Sequence, residues 1–177
     1  MRRVNWAFAA GLFLVIGVAA GAVHGLHIVR YGKIADDLRW QAERARDDGR
    51  PDDAIKFATQ YLDFRPGDLG MMADLAAWLR EKATTRKQFG SILGLYDRIL
   101  RYSPDDTATR QKAAELAMGL GEWAAALENF DILLHARAGD AELCEDYAYC
   151  LQAIGKYDES AVWYDRSVRA DPKRATA

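Results

Sequence analysis

Gly121-Glu122-Trp123-Ala124-Ala125-Ala126 returns 34 residues later as Gly155-Lys156-Tyr157-Asp158-Glu159-Ser160. In both copies a glycine able to stop one helix is followed, after one spacer, by an aromatic residue and, three further on, by a small one. Recurrence at a fixed interval of this size marks an array of stacked helical hairpins. Gly49 and Ala54 carry the same glycine and small residue 72 residues before Gly121 and Ala126, two periods plus four. The prolines keep the same beat. Pro66 and Pro104 are 38 apart, one period plus four, and Pro104 and Pro172 are 68 apart, two periods, with Ala138 in the intermediate slot. The four additional residues therefore fall between Pro66 and Pro104, and a lengthened turn within the polar run Arg80 to Gln88 is where they are expected.

Helix boundaries are also written locally. Gly49 suits the left-handed conformation that closes a helix, and Pro51 suits the first turn of the next, where a missing N–H costs nothing. Asp52 and Asp53 then favour the positive end of that helix. Asp105 or Asp106, and Asp140, are placed to cap the helices that follow Pro104 and Gly139. The acidic doublets thus read as caps and solvated faces, and no stretch of strand periodicity competes with an all-α chain.

These residues resemble the tetratricopeptide repeat, whose pattern has small residues at positions 8 and 20, a turn former near 15, an aromatic at 24 and Pro at 32. Position 8 falls on Ala42, Ala76, Ala114 and Ala148, and position 20 on Ala54, Ile92, Ala126 and Ser160. The aromatic position reads Ala58, Tyr96, Phe130 and Tyr164, with Tyr61 as the substitute in the first repeat. The resemblance implies a right-handed α-solenoid of about four helical hairpins, over approximately residues 35–68, 69–106, 107–140 and 141–174. Small side chains at 8 and 20 let paired helix axes approach to the close end of the usual 8–10 Å range. Large aromatics then fill the space between hairpins, so Trp78, Trp123, Tyr147, Tyr157, Trp163 and Tyr164 are expected in the core.

The amino terminus is organised differently. A short basic tail, residues 1–5 with Arg2 and Arg3, precedes an apolar segment at 6–29, and Val4 to Val29 contains no Asp, Glu, Lys or Arg. About 20 apolar residues span a bilayer, so one transmembrane helix acting as a signal anchor is expected, followed by a juxtamembrane linker at 30–34. Trp6 and Tyr31 stand near its ends as interfacial aromatics, and Arg2 and Arg3 favour repeats on the extracytoplasmic side of the cytoplasmic membrane. Ala20-Gly21-Ala22 also matches a signal-peptide cleavage site, leaving a secreted array as the alternative. Residues 35–177 hold 20 Lys plus Arg against 26 Asp plus Glu, a formal charge of −6 that disfavours nucleic acid as a partner.

No catalytic constellation is written in the chain. It lacks a phosphate-binding glycine loop, a Gly-x-Ser-x-Gly elbow and a His-Glu-x-x-His pair, so no enzyme, cofactor or metal centre is expected. Cys144 and Cys150 share one expected helix about 9 Å apart along its axis, too far to pair, and read as small buried hydrophobes. His24 and His27 share a helix face beside the apolar segment, but a metal site needs three or four convergent donors. His135 falls near a helix end, where the dipole favours it.

Within the resemblance, the first helices of successive repeats line a concave groove through positions 2, 5, 9, 12 and 13. The candidate protein-binding residues are Arg39, Glu43 and Arg46 in the first repeat, Arg80 in the second, Gln111 and Glu115 in the third, and Glu142, Glu145, Tyr149 and Gln152 in the fourth. The Lys and Asn with which some members clamp a terminal carboxylate at positions 5 and 9 are absent. A neutral or basic extended segment is the partner expected, with the chain acting as a membrane-anchored interaction scaffold. The alternative is the targeting and regulatory front end of a longer enzyme. The last helix has no evident cover before Ala177, which suggests further repeats or self-association.

Overall fold

The computed structural model describes residues 30–173. Eight helices follow one another: α1 (30–47), α2 (Pro51–Phe64), α3 (Leu69–Lys82), α4 (Arg86–Tyr102), α5 (Thr107–Gly119), α6 (Trp123–Ala136), α7 (Ala141–Ala153) and α8 (Tyr157–Ala170). No strand occurs among the described residues, and no helix among them is long and apolar enough to cross a membrane. The expected anchor at 6–29, with His24 and His27, lies outside the described residues. Residues 30–34, expected as a linker, form the beginning of α1.

The chain divides into two compact units, one ending at Pro66 and one beginning at Gly67. In the first, α1 and α2 are antiparallel, because Tyr31 near the start of α1 lies against Phe64 at the end of α2 with ring centroids 5.5 Å apart. Ala42, Ala54 and Ala58 are wholly buried there, and Tyr61 is buried as well. In the second unit α3 pairs with α4, α5 with α6 and α7 with α8, while α4 meets α5 and α6 meets α7. Within this unit each helix therefore touches its sequence neighbours, as a hairpin array requires.

Three hairpin turns share one mechanism. Gly49, Gly121 and Gly155 have φ of 70°, 70° and 81°, and they are the positive-φ residues among those described. The Gly121 N–H donates to the Met118 carbonyl at 3.0 Å, and the Glu122 N–H donates to the Ala117 carbonyl at 2.8 Å. This is the Schellman pattern, and Gly49 and Gly155 repeat it with Arg50 and Lys156. A Cβ at that φ is strained, so the sequence echo fixes the turn geometry.

The second repeat closes in another way and corrects the expected lengthened turn. Its turn is Ala83 to Thr85, three residues like the others. The additional residues enter the helices instead: α3 has 14 residues against 13 in α5 and α7, and α4 has 17 against 14 in α2, α6 and α8. Thr85 makes this possible by capping α4. Its hydroxyl accepts from the Gln88 N–H at 3.3 Å while Gln88 Oε1 accepts from the Thr85 N–H at 3.0 Å, a capping box.

The first helices of the later repeats begin on aspartates. Asp106 accepts from the Thr109 N–H at 3.0 Å and its hydroxyl at 2.7 Å, and Asp140 accepts from the N–H groups of Glu142 and Leu143. The Thr109 hydroxyl bond is the main reason the Asp106 carboxyl titrates below its ordinary range. Asp68, which the sequence reading did not single out, caps α3 through the Met71 N–H at 3.0 Å.

Hairpins are locked where small residues meet. Ala76, Ala114 and Ala148 are fully buried, as are Ile92 and Ala126, and Ser160 is nearly so. In the last hairpin the contact is polar as well as close: Ser160 Oγ donates to the Ala148 carbonyl and Ser167 Oγ to the Ala141 carbonyl, each at 2.8 Å. Such bonds stabilise by about 1 kcal/mol each. Phe130, Leu133, Leu143, Cys144 and Cys150 form the centre of the core around α6 and α7, with Trp123, Tyr147 and Trp163 packed against it. Trp78 is buried, and Tyr164 is half-buried. Tyr157 departs from expectation: at the first turn of α8, where no further helix covers it among the described residues, it is 68% exposed.

Two predictions follow from the turns and crossings. Gly121→Ala should cost about 1 kcal/mol, whereas Gly94→Ala, inside α4 with open space at its Cβ position, should stabilise by about 0.5–1 kcal/mol. Thermal denaturation of both variants decides this. Ala126→Leu and Ala148→Leu should each destabilise by about 1–3 kcal/mol in urea titrations, because each alanine is fully buried at a crossing.

Candidate functional site

The first helices of the third and fourth repeats carry the most developed surface. Tyr149 projects from α7 half-exposed, at 51%, and meets the half-buried Trp123 of α6 edge-on with centroids 5.9 Å apart. Edge-on contact fixes the Tyr149 ring without covering it. One turn on, Gln152 accepts a hydrogen bond from the Tyr164 hydroxyl at 3.2 Å, tying the α7 surface to α8. Glu142 and Glu145 stand exposed on the same helix. Cys150 turns inward beside Tyr149, and burial pushes its thiol up to about 11.

On α5, Gln111 and Glu115 are half-buried and bonded to each other, Gln111 Nε2 to Glu115 Oε1 at 2.9 Å. Gln111 Oε1 also accepts from Arg137 Nη2 at 3.0 Å, and Arg137 Nη1 lies 3.4 Å from the Asp140 cap. A guanidinium thus bridges α5 to the start of α7. Arg137 was not visible as a site residue in sequence, since it sits in the turn between repeats.

In the first unit Arg39 and Glu43 pair across one turn of α1 at 2.9 Å, both exposed, and Arg46 is half-buried. Exposed pairs of this kind add little stability. Trp40, between Arg39 and Glu43 in sequence, is 64% exposed, a large aromatic that the pattern of groove positions passed over. Arg80 is exposed near the end of α3. The structure therefore brings Gln111 and Glu115 together on α5, and Glu142, Glu145, Tyr149 and Gln152 together on α7.

Among the described residues no group of three His, Cys, Asp or Glu side chains converges as a metal site would need. His135 Nδ1 lies 2.8 Å from the Asp131 carbonyl within α6, at the helix end expected for it. Both cysteines are free and buried.

The described residues form an all-α array of small-residue hairpins, with exposed aromatic and charged groups on its first helices. Comparison with solved structures agrees on the fold. A MamA structure from Desulfovibrio magneticus RS-1, covering residue 41 to its end, superposes with a TM-score of 0.60 at 14% identity, over 78% of this chain and 76% of that one. MamA AMB-1 gives 0.60 at 13% identity, over 89% and 95%. A tetratricopeptide repeat protein from Parabacteroides merdae ATCC 43184 gives 0.60 at 16% identity, over 80% of this chain and 55% of that one. The fold is of the tetratricopeptide-repeat type. No family model and no curated relative matches the sequence.

Burial of the thiols beneath this surface is directly testable. In the native protein at neutral pH, Cys144 and Cys150 should resist iodoacetamide over hours, because both are buried and burial disfavours the reactive thiolate. Both should alkylate rapidly in guanidinium chloride, as read by intact mass.

Proposed function

We propose that the chain is a membrane-tethered scaffold that holds a protein partner against the first helices of its third and fourth repeats. The observation that carries this reading is the Tyr149–Trp123 pair, a half-exposed aromatic fixed edge-on by its neighbour. Tyrosine held in this way offers apolar area and a hydroxyl at little entropic cost, and such residues are enriched among interaction hot spots. Glu142 and Glu145 beside it favour a neutral or basic segment and would steer its approach. The uncharged stretch from Val4 to Val29 supplies the tether, kept uncleaved, with the array on the extracytoplasmic side.

Affinity capture of the full chain from solubilised membranes, with quantitative mass spectrometry, tests both parts. A partner should be captured by wild type and by Glu128→Ala, a change on the exposed side of α6, and be depleted about tenfold or more by Tyr149→Ala. Its capture should weaken as salt rises. A partner set unaffected by Tyr149→Ala and by Glu142→Lys with Glu145→Lys would place binding elsewhere. A membrane-derived chain whose amino terminus lies near Val23 would replace the tether with a cleaved leader.

A further inference from the structure

The outer stripe of α8 repeats, position for position, a surface of α6 that is covered. Leu120, Trp123, Leu127, Phe130 and Leu134 run along the start and one side of α6, all buried or half-buried, the last four in or against the core that α6 shares with α7. One period later stand Ile154, Tyr157, Ala161, Tyr164 and Val168. The spacing of 3, 4, 3 and 4 is kept and every residue remains apolar or aromatic, yet Ile154 is 43%, Tyr157 68% and Val168 38% exposed. Among the described residues, the face that α7 covers on α6 is thus open on α8, an apolar stripe at the spacing by which helices pack on one another.

Charge says what kind of helix fits. Asp158 and Asp165 border the stripe, both exposed, and Arg169 pairs with Asp165 at 2.8 Å. The chain from residue 35 onward has 26 acidic against 20 basic side chains. A second copy of α8 is a poor occupant. Antiparallel pairing that sets Ile154 against Val168 brings Asp158 of one copy within one residue's rise, about 1.5 Å along the axis, of Asp165 of the other, and does so twice. The first helix of a second copy fits no better. Where α7 contributes Leu143, Tyr147 and Cys150 at positions 3, 7 and 10, α1 has Asp37, Gln41 and Arg44.

We propose that the exposed stripe of α8 is a docking site for a cationic amphipathic α-helix of a partner protein, laid on α8 as α7 lies on α6. Its apolar residues would recur at 3–4 spacing against Ile154, Tyr157, Ala161 and Val168, with Lys or Arg flanking them to meet Asp158 and Asp165. Tyr164 within the stripe is tied to Gln152 on α7, so this surface adjoins the Tyr149 face, and mutation separates the two.

The probe is an 18-residue peptide with leucines at 3–4 spacing and lysines elsewhere, beside a twin carrying glutamates for the lysines. Fluorescence anisotropy measures binding to the full chain in phosphatidylcholine nanodiscs, with empty nanodiscs as the blank. The lysine peptide should bind about tenfold or more tightly than its twin, and Ala161→Arg or Val168→Asp should weaken it about tenfold, while Tyr149→Ala leaves it unchanged. Far-ultraviolet dichroism checks that the variants stay helical. Should either apolar-stripe variant misfold, Asp158→Lys with Asp165→Lys keeps the test, since it should reverse the preference toward the glutamate peptide. Equal binding of the two peptides, or indifference to the α8 variants, overturns the proposal. So does loss of binding with Tyr149→Ala, or sedimentation showing a dimer of the chain alone that Ala161→Arg dissociates.

Discussion

The close crossing of paired helices at small residues is the constraint on which the structure depends. Ala42 and Ala54, Ala114 and Ala126, and Ala148 and Ser160 are all buried, and in the last pair the serine hydroxyl reaches the alanine carbonyl at 2.8 Å. With the axes held near, a three-residue turn suffices to join them, and three of the four turns use a left-handed glycine to do so. The exception, Ile92 opposite Ala76, is also the repeat with the longer second helix and a capping box in place of glycine. There a different turn chemistry reaches the same antiparallel pairing.

The proposed function rests on what that crossing leaves uncovered. A first helix gives one side to its partner helix and another to its neighbouring repeat, so its remaining side faces solvent. On α7 that side bears Tyr149 with Glu142 and Glu145, and on α5 it bears the Gln111–Glu115 pair bridged to Arg137. The last helix obeys the same geometry with different chemistry. The buried residues of α8 are two serines, both bonded to carbonyls of α7, and Trp163 packs on the core beside them, while an apolar stripe remains outside.

Much of this was legible in the sequence because strict steric demands leave strict signatures. A positive φ calls for glycine and a close crossing for alanine or serine, so Gly121, Gly155, Ala126 and Ser160 could be read directly. Asp106 and Asp140 were legible as caps for a similar reason. The four additional residues were located but misassigned, since a polar run suits a loop and a solvated helix equally, and the Thr85–Gln88 box that decides between them was overlooked. Tyr157 was placed in the core by analogy with Trp123, although what covers such a residue is a helix from the following repeat. Trp40 and Arg137 lie outside the groove positions, and their exposure is a tertiary property that repeat arithmetic does not carry.

Amide hydrogen exchange across the second repeat is the measurement that most directly tests whether every repeat closes the same hairpin with its additional residues taken into helix. The Phe89 N–H donates to the Thr85 carbonyl at 3.1 Å, as the Ala126 N–H does to Glu122 at 3.0 Å. Amides from Phe89 through Ile92 should therefore be protected to a degree comparable with those following Ala126 in α6. Exchange of residues 89–92 at the rate of unstructured chain would contradict it, and would return the additional residues to a lengthened turn.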